Sequence, residues 1–180
     1  MDINLRTLTK KDYKDLRESM IQAYDGHAGD VWTRAHIDDL VDMFPEGQIC
    51  VEVDKKVVAC ALSIIINTKK TNVYEKYYEI IDDGKFSKHD NDGDTLYGIE
   101  VFVHSEYRSL RLGRRLYDAR KELCEQMNLK SIVAGGRIPN YHTYADTMSP
   151  RMYIERVKRK EIYDPTLTFQ LSNDFHVKKI

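Results

Sequence analysis

One stretch, Thr95–Leu129, changes its hydrophobic period partway along, and most of what this chain can fold into follows from that change. Leu96, Ile99, Val101, Phe102 and Val103 form a short β-rich run that predicts a buried strand. From Arg114 to Met127, Leu116, Ala119, Leu123 and Met127 recur at helical spacing with charges between them. Between the two lies Tyr107-Arg-Ser-Leu-Arg-Leu-Gly-Arg-Arg115. A strand that turns directly into a helix leaves unpaired N–H groups at the helix start. Their partial positive charge favours a phosphate. Arg108, Arg111, Arg114 and Arg115 crowd this turn, and Gly113 lets the backbone come close to a ligand. The residues read as a cradle for a pyrophosphate.

Val103 to Gly113 resembles the signature of the GNAT superfamily of acyl-CoA N-acyltransferases, which runs from a hydrophobic strand through Arg/Gln-x-x-Gly-x-Gly/Ala into a helix. Arg108 stands at the Arg/Gln and Gly113 at the last Gly/Ala; Arg111 replaces the first glycine and could add its own contact to a phosphate. The resemblance implies acetyl-CoA as cosubstrate, with no metal. Its pyrophosphate would rest on Arg108, Ser109, Leu110, Arg111, Leu112, Gly113 and Arg114. Main-chain groups near Phe102 and Val103 would serve the pantetheine amides and the thioester oxygen. The family asparagine that contacts pantetheine falls, counting from Ile132, on Asn140. The closing family motif, roughly Tyr-x-x-x-Gly-Phe, maps on Gln170–Phe175 and puts Gln170 where the tyrosine would be. Tyr141, Tyr144 and Tyr153 are the remaining candidates for the general acid, with Tyr144 the one chosen. For the base that deprotonates an ammonium group, Glu100 within the strand is the first candidate. His104 at its end, with an unperturbed pKa of about 6.5, is the second.

At 180 residues the chain is read as one domain with enough length for a core. A net charge of −1 argues against bulk attraction to nucleic acid or membrane, so the arginine cluster is local. No stretch approaches the ~20 apolar residues of a membrane span, and the N-terminus lacks the apolar core of a secretory signal. Cys50, Cys60 and Cys124 are widely spaced, odd in number and set in apolar runs, as buried thiols in a reducing cytoplasm would be.

Taken in order, Ile3, Leu5 and Leu8 begin a strand. Thr9 caps a helix with the stripe Leu16, Met20, Ile21 and Tyr24, which Gly26–Gly29 breaks. A second helix starts near Thr33, carries Ile37, Leu40, Val41 and Phe44, and stops at Pro45. Tyr24, His27 and Trp32 between the helices could face a substrate or pack the edge of the core. Gln48–Val53 and Val57–Ile66 are strands joined at Asp54-Lys55-Lys56, and Ile64, Ile65 and Ile66 suit a central strand. Ser131–Gly135 adds a strand after the long helix. The order matches the GNAT fold, an α/β (α+β) architecture whose central sheet is mixed, mostly antiparallel and flanked by helices. An insertion at about 67–94 contains a short helix over Val73–Ile81 and has the length of a lid or binding loop. Its acidic end, Lys88–Asp94, resembles part of a calcium loop in the wrong register and reads as a turn. Ser149-Pro150 opens a further helix. The Arg- and Lys-rich run 151–160 reads as a solvated face. Leu167–Leu171 and Phe175–Ile180 read as strands. The family's last strand is missing, which suggests a piece of a longer polypeptide or a strand lent by a neighbour.

Leu96–Lys121, Ile132–Pro139 and Leu167–Asn173 together look like the GNAT subgroup in which this domain precedes a carbon–nitrogen hydrolase of the nitrilase type. The expected function is therefore transfer of an acetyl group from acetyl-CoA to a primary amine. The alternative is a non-catalytic CoA-binding or regulatory module of a fused hydrolase. A nucleic-acid module is opposed by the charge and by the lack of a recognised motif. The expected partners are a small-molecule or peptide amine and a fused hydrolase domain or a second copy. The acceptor itself is not legible. If the cradle is correct, Arg108→Ala weakens CoA binding while the melting temperature holds; calorimetry giving an unchanged affinity would sink the assignment.

Overall fold

The computed structural model describes residues 1–24 and 31–180. His27 and the glycines expected to end the first helix lie outside the described residues. The described chain forms two compact units, Met1–Ala134 and Gly135–Ile180.

In the first unit the elements are β1 (Ile3–Thr7), α1 (Tyr13–Ala23), α2 (Arg34–Met43), β2 (Ile49–Val53), β3 (Lys56–Ile66), α3 (Tyr77–Ile81), β4 (Thr95–Val103), α4 (Leu112–Gln126) and β5 (Ser131–Ala134). The strands stand in sequence order in one sheet. Each neighbouring pair is antiparallel except β4 and β5, which the α4 crossover makes parallel. Asp54 and Lys55 both take positive φ, the conformation of a tight hairpin whose twist matches its strands. Two cores lie on opposite faces. Leu16, Met20, Ile37, Leu40 and Ile80 cover Ile64 and Ile66 on one, while Leu112, Leu116 and Leu123 cover Ile65 on the other. The three isoleucines of β3 are fully buried, as a strand covered on both faces requires.

Beyond the end of β2, side chains complete the edge of β3. Gln48 imitates a strand: its Oε1 accepts from Ser63 N at 3.1 Å and its Nε2 donates to Ser63 O at 2.9 Å. Two residues on, the insertion takes over. His89 Nδ1 accepts from Ile65 N at 3.1 Å, and Asp90 N and Asp94 N donate to the carbonyls of Ile65 and Ile66. Asp94 also accepts from Thr68 N and Oγ1, and these bonds hold its carboxyl well below the usual range. Asp90, bonded to Lys70, Asp92 N and Asn67, is drawn down to about 2. The short helix of the insertion is confined to Tyr77–Ile81. The segment expected to serve as a lid is thus fastened to the sheet at its acidic end.

In the second unit a 3-10 turn over Pro139–Thr143 precedes α5 (Pro150–Lys158) and α6 (Pro165–Ser172). Tyr153, Ile154, Val157 and Leu167 are its buried apolar residues. Asp164, fully buried, ties it together. Its carboxylate accepts from Thr166 N and Leu167 N at the start of α6, from Tyr153 Oη at 2.8 Å and from Asn140 N at 3.2 Å. Here the sequence expectation is corrected. Leu167–Leu171 is helical and 175–180 forms no strand. An Asp cap followed by proline at the first helical position is a helix start, and it outweighs the alternation of Leu167, Phe169 and Leu171.

His89 yields a pH-dependent prediction. Burial is the largest influence on it and pulls its pKa below 6.5, so the fold favours the neutral ring that can accept from Ile65 N. Its stabilisation is complete above about pH 6.5 and is lost as pH falls through the lowered folded value. His89→Phe keeps a ring against Phe44, which His89 stacks at 5.4 Å, but leaves Ile65 N unpaired. At pH 7.5 it should cost about 1–3 kcal/mol. Thermal melts should show the gap to wild type narrowing at pH 5.

Candidate functional site

The site begins with an irregularity in β4. Leu62 pairs with Glu100 and Ser63 with Gly98, so Ile99 is an extra residue, a bulge. The side-chain phase flips there. Tyr97 and Ile99 belong to the core under α1–α3, whereas Val101 and Val103 belong to the core under α4. In an unbroken strand these four would share a face. The flip puts Glu100 on the Phe102 face, among the residues under α1–α3.

Pairing with β5 stops where the bulge starts. Thr95–Gly98 align with Ser131–Ala134, and among the described residues β5 reaches no farther along β4. His104 N donates to Val58 O on β3 at 2.8 Å. Main-chain groups alternate sides along a strand. Those of Phe102 therefore turn toward β3, and those of Val101 and Val103 turn to the open edge. Of the two residues expected to offer main-chain contacts, Val103 has its main-chain groups at that edge, and Phe102, whose groups turn toward β3, buries its ring in the core.

The turn that follows is a 3-10 helix over Ser105–Leu110, then Arg111 in the left-handed region at φ 55°, then α4. Arg111 occupies a conformation that favours glycine, the residue the family pattern has there. α4 has no side-chain cap, so the N–H groups of Leu112, Gly113 and Arg114 point out of its first turn. Arg108, Arg111, Arg114 and Arg115 are all exposed around it, while Leu112 and Gly113 are buried. Arg108 also donates from Nη2 to Ala23 O at the end of α1, at 3.0 Å. His104 is buried, caps the 3-10 turn by accepting Glu106 N at Nδ1, and packs edge-on against Tyr107. The ring is a structural cap.

Asn140 and Tyr144 lie in the second unit. Asn140 is held by its N–H to Asp164 and by its side chain, which donates to Tyr163 O at 3.5 Å. Tyr144 and Tyr141 both pack against the ring of Tyr153, at 5.4 and 5.5 Å. Tyr153 is buried, and burial with the Asp164 bond pushes its hydroxyl well above the usual range. The Tyr141 hydroxyl is likewise engaged, donating to Met148 O at 2.9 Å. Gln170 lies in α6, its Oε1 near Gly136.

Two further side chains bond to main-chain carbonyls beside the bulge. Arg120 of α4 is buried and donates from Nη2 to Leu62 O at 2.5 Å and to Glu100 O at 2.7 Å. Tyr77 of α3 donates its hydroxyl to Ile99 O at 3.0 Å. A signal existed for Arg120. It stands four residues after Leu116 and three before Leu123, a charge on the apolar stripe of α4.

A sheet that splays beside an uncapped, arginine-ringed helix start is the architecture of a family of acyl-CoA-dependent transferases. The sequence profile of the acetyltransferase (GNAT) family matches residues 13–145, and the chain belongs to that family. It is 42% identical over 176 residues to a probable hydrolase of Bacillus subtilis (strain 168), YhcX. That match takes in 98% of this chain and 34% of the relative. It is 28% identical over 141 residues to an uncharacterized N-acetyltransferase of the same organism, YkwB, covering 78% of this chain and 62% of that one. The chain thus spans about a third of the first relative's length. Among solved structures, the loading GNATL domain of CurA from Lyngbya majuscula superposes with a TM-score of 0.84 at 22% identity, covering 99% of this chain and 87% of that one. A GphF GNAT-like decarboxylase bound to isobutyryl-CoA superposes at 0.71 with 17% identity, covering 94% and 84%. At these identities the structures establish the GNAT-like fold. No described helix is long and apolar enough to cross a membrane.

The left-handed Arg111 gives a further prediction. A side chain there costs about 1 kcal/mol, offset in part by the greater freedom glycine has when unfolded. Arg111→Gly should leave stability to urea unchanged or slightly raised and weaken CoA binding severalfold. A clear loss of stability would mean that the side chain holds the turn.

Proposed function

We propose that this domain is an N-acetyltransferase that moves an acetyl group from acetyl-CoA to a primary amine. One observation carries the reading: beyond Gly98 one edge of β4 has no strand partner among the described residues, and the strand runs into a helix start ringed by four exposed arginines. Arg108, Arg111 and Arg114, with the N–H groups of Leu112 and Gly113, would take the pyrophosphate, and Ser109 and Leu110 would shape the turn beneath it. The open-edge groups of Val101 and Val103 would meet the pantetheine and the thioester oxygen, and Asn140 would bind the pantetheine. The amine nitrogen attacks the acyl carbon, a C–N bond forms and the C–S bond breaks. The proton lost by the nitrogen goes to Glu100, directly or through water, and Tyr144 would return one to the CoA thiolate. Backbone N–H donors aimed at the developing oxyanion typically supply several kcal/mol.

A second reading has its own support. The chain aligns with only 34% of a relative described as a probable hydrolase, which suits a domain fused to a carbon–nitrogen hydrolase that binds CoA without turnover. Titration with acetyl-CoA by calorimetry, with desulfo-CoA as control, comes first. Micromolar binding followed by release of CoA thiol with some member of an amine panel supports the transferase. Binding with no turnover across polyamines, amino acids, aminoglycosides and peptide N-termini favours the module. Absence of binding overturns both.

A further inference from the structure

The outer face of α1 is unlike an ordinary solvated helix surface. Leu16, Ser19 and Met20 turn inward and are buried. On the outer side Tyr13, Arg17 and Ile21 stand one turn apart in a row, with Lys14 and Glu18 in the row beside it. Together with Arg34 at the start of α2 they line a groove of about 570 Å³. Its floor is apolar. Ile21 is half-buried but packs in neither core of the described residues, and the Tyr13 hydroxyl donates to Trp32 O at 3.0 Å, which fixes its ring. Its rim is cationic. The Arg34 guanidinium lies 4.8 Å from the centre of the Tyr13 ring and donates to Lys10 O at 3.3 Å, so its charge is held in place.

These cations are not neutralised from within. Two nearby carboxylates are already spent: Asp12 is bonded to Arg6, and Glu18 pairs with Lys56 at 2.7 Å. Asp15 does not line the groove. Lys14, Arg17 and Arg34 form no ion pair among the described residues. Stability alone would not select this arrangement. Lys14 sits in the first turn of α1, where the helix dipole disfavours a cation, and Arg17 three residues on repels it. In a chain of net charge −1 the three make a local positive field, which a groove with low-dielectric walls concentrates. An anionic ligand offsets that repulsion.

The groove also leads toward the site. It ends at Gln22, and the next residue, Ala23, gives its carbonyl to Arg108 of the arginine-rich turn. α1 covers the face of the sheet that carries Phe102, and Glu100, the proposed base, lies on that face. An amine that reaches Glu100 therefore arrives from the α1 side. α1 has 11 residues and is about 16 Å long, the span of about five residues of extended peptide. A small anion would meet one of the cations and leave Tyr13 and Ile21 uncovered, whereas an extended acidic segment meets all of them. We propose that the groove along α1 docks an acidic peptide segment, and that the amine acceptor of this domain is a polypeptide that carries one. The inference rests on the reading of β4 as the acyl-CoA site with Glu100 as base.

The test uses the whole chain with acetyl-CoA saturating, so that the arginine-rich turn is occupied. Fluorescence anisotropy reads docking, and release of CoA thiol reads transfer. The probes are Ala-Ala-Glu-Glu-Glu-Glu, labelled at its C-terminus, and the same peptide with four serines or four lysines in place of the glutamates. The acidic peptide should bind about tenfold more tightly than the serine peptide, and the margin should shrink as salt rises. In Lys14→Gln/Arg17→Gln, which changes two exposed side chains, the margin should fall to about threefold or less, and Arg17→Glu should favour the lysine peptide. Affinity for acetyl-CoA should stay within about twofold in both variants, and thiol release should rank the peptides as binding does. Equal binding of the three peptides, or an acidic preference that survives the double substitution, overturns the proposal. So does acidic peptide that acetyl-CoA displaces, which would place it on the arginine-rich turn. A double variant that loses affinity for acetyl-CoA but keeps it for 3'-dephospho-CoA assigns the groove to the nucleotide phosphate and also overturns the proposal. A chain that binds acetyl-CoA and shows no acidic preference overturns the acceptor alone; one that binds no acetyl-CoA overturns the transferase reading and the acceptor with it.

Discussion

The pairing of β4 with β5 ends at Gly98, and from that point β4 has β3 as its only strand neighbour among the described residues. A strand with one neighbour presents a row of main-chain donors and acceptors, which in a compact domain must meet water, another segment or a ligand. Everything distinctive nearby answers that condition. The bulge reverses the side-chain phase, Gly98 admits a buried guanidinium, and the side chains of Tyr77 and Arg120 donate to the carbonyls of Ile99 and Glu100 beside it. The open edge then leads straight to the α4 N-terminus, which has no side-chain cap among the described residues. Two unsatisfied backbone features in line, flanked by cations, suit a long ligand with amides along its arm and phosphates at its end.

The same logic governs the far edge of β3 with a different outcome. There the strand outruns β2, and the missing partner is replaced piece by piece. The Gln48 amide serves Ser63, and the His89 ring and the backbone N–H of Asp90 serve Ile65. A segment that completes a sheet edge with hydrogen bonds on both sides is part of the scaffold. The insertion of 67–94 therefore works at both of its ends: its acidic turn closes β3, and its helix reaches the bulge of β4.

Much was legible beforehand because it is local. Element order, the hairpin at Asp54-Lys55, the two-faced burial of Ile64–Ile66, the Thr33 and Ser149 caps and the arginine-rich turn all follow from period, capping chemistry and turn residues. The misreading of Leu167–Leu171 was also local in kind. Leu167 and Leu171 fit a period of two and a helical spacing of four alike, and the deciding signal was Asp164-Pro165 in front of them. His104 reads as a candidate base because a lone histidine after a strand has no sequence mark of burial; in the fold it is buried and its Nδ1 accepts from Glu106 N.

The sequence by itself determined the family, the order of elements and the arginine-rich turn between β4 and α4, since each depends on residues adjacent along the chain. The tertiary structure decided which groups of β4 are free. That depends on where β5 stops, on one extra residue in the register with β3, and on donors brought from Tyr77 and Arg120, 22 and 20 residues away along the chain. Register and long-range hydrogen bonds are properties of two strands and a helix together, and no window along one of them contains them.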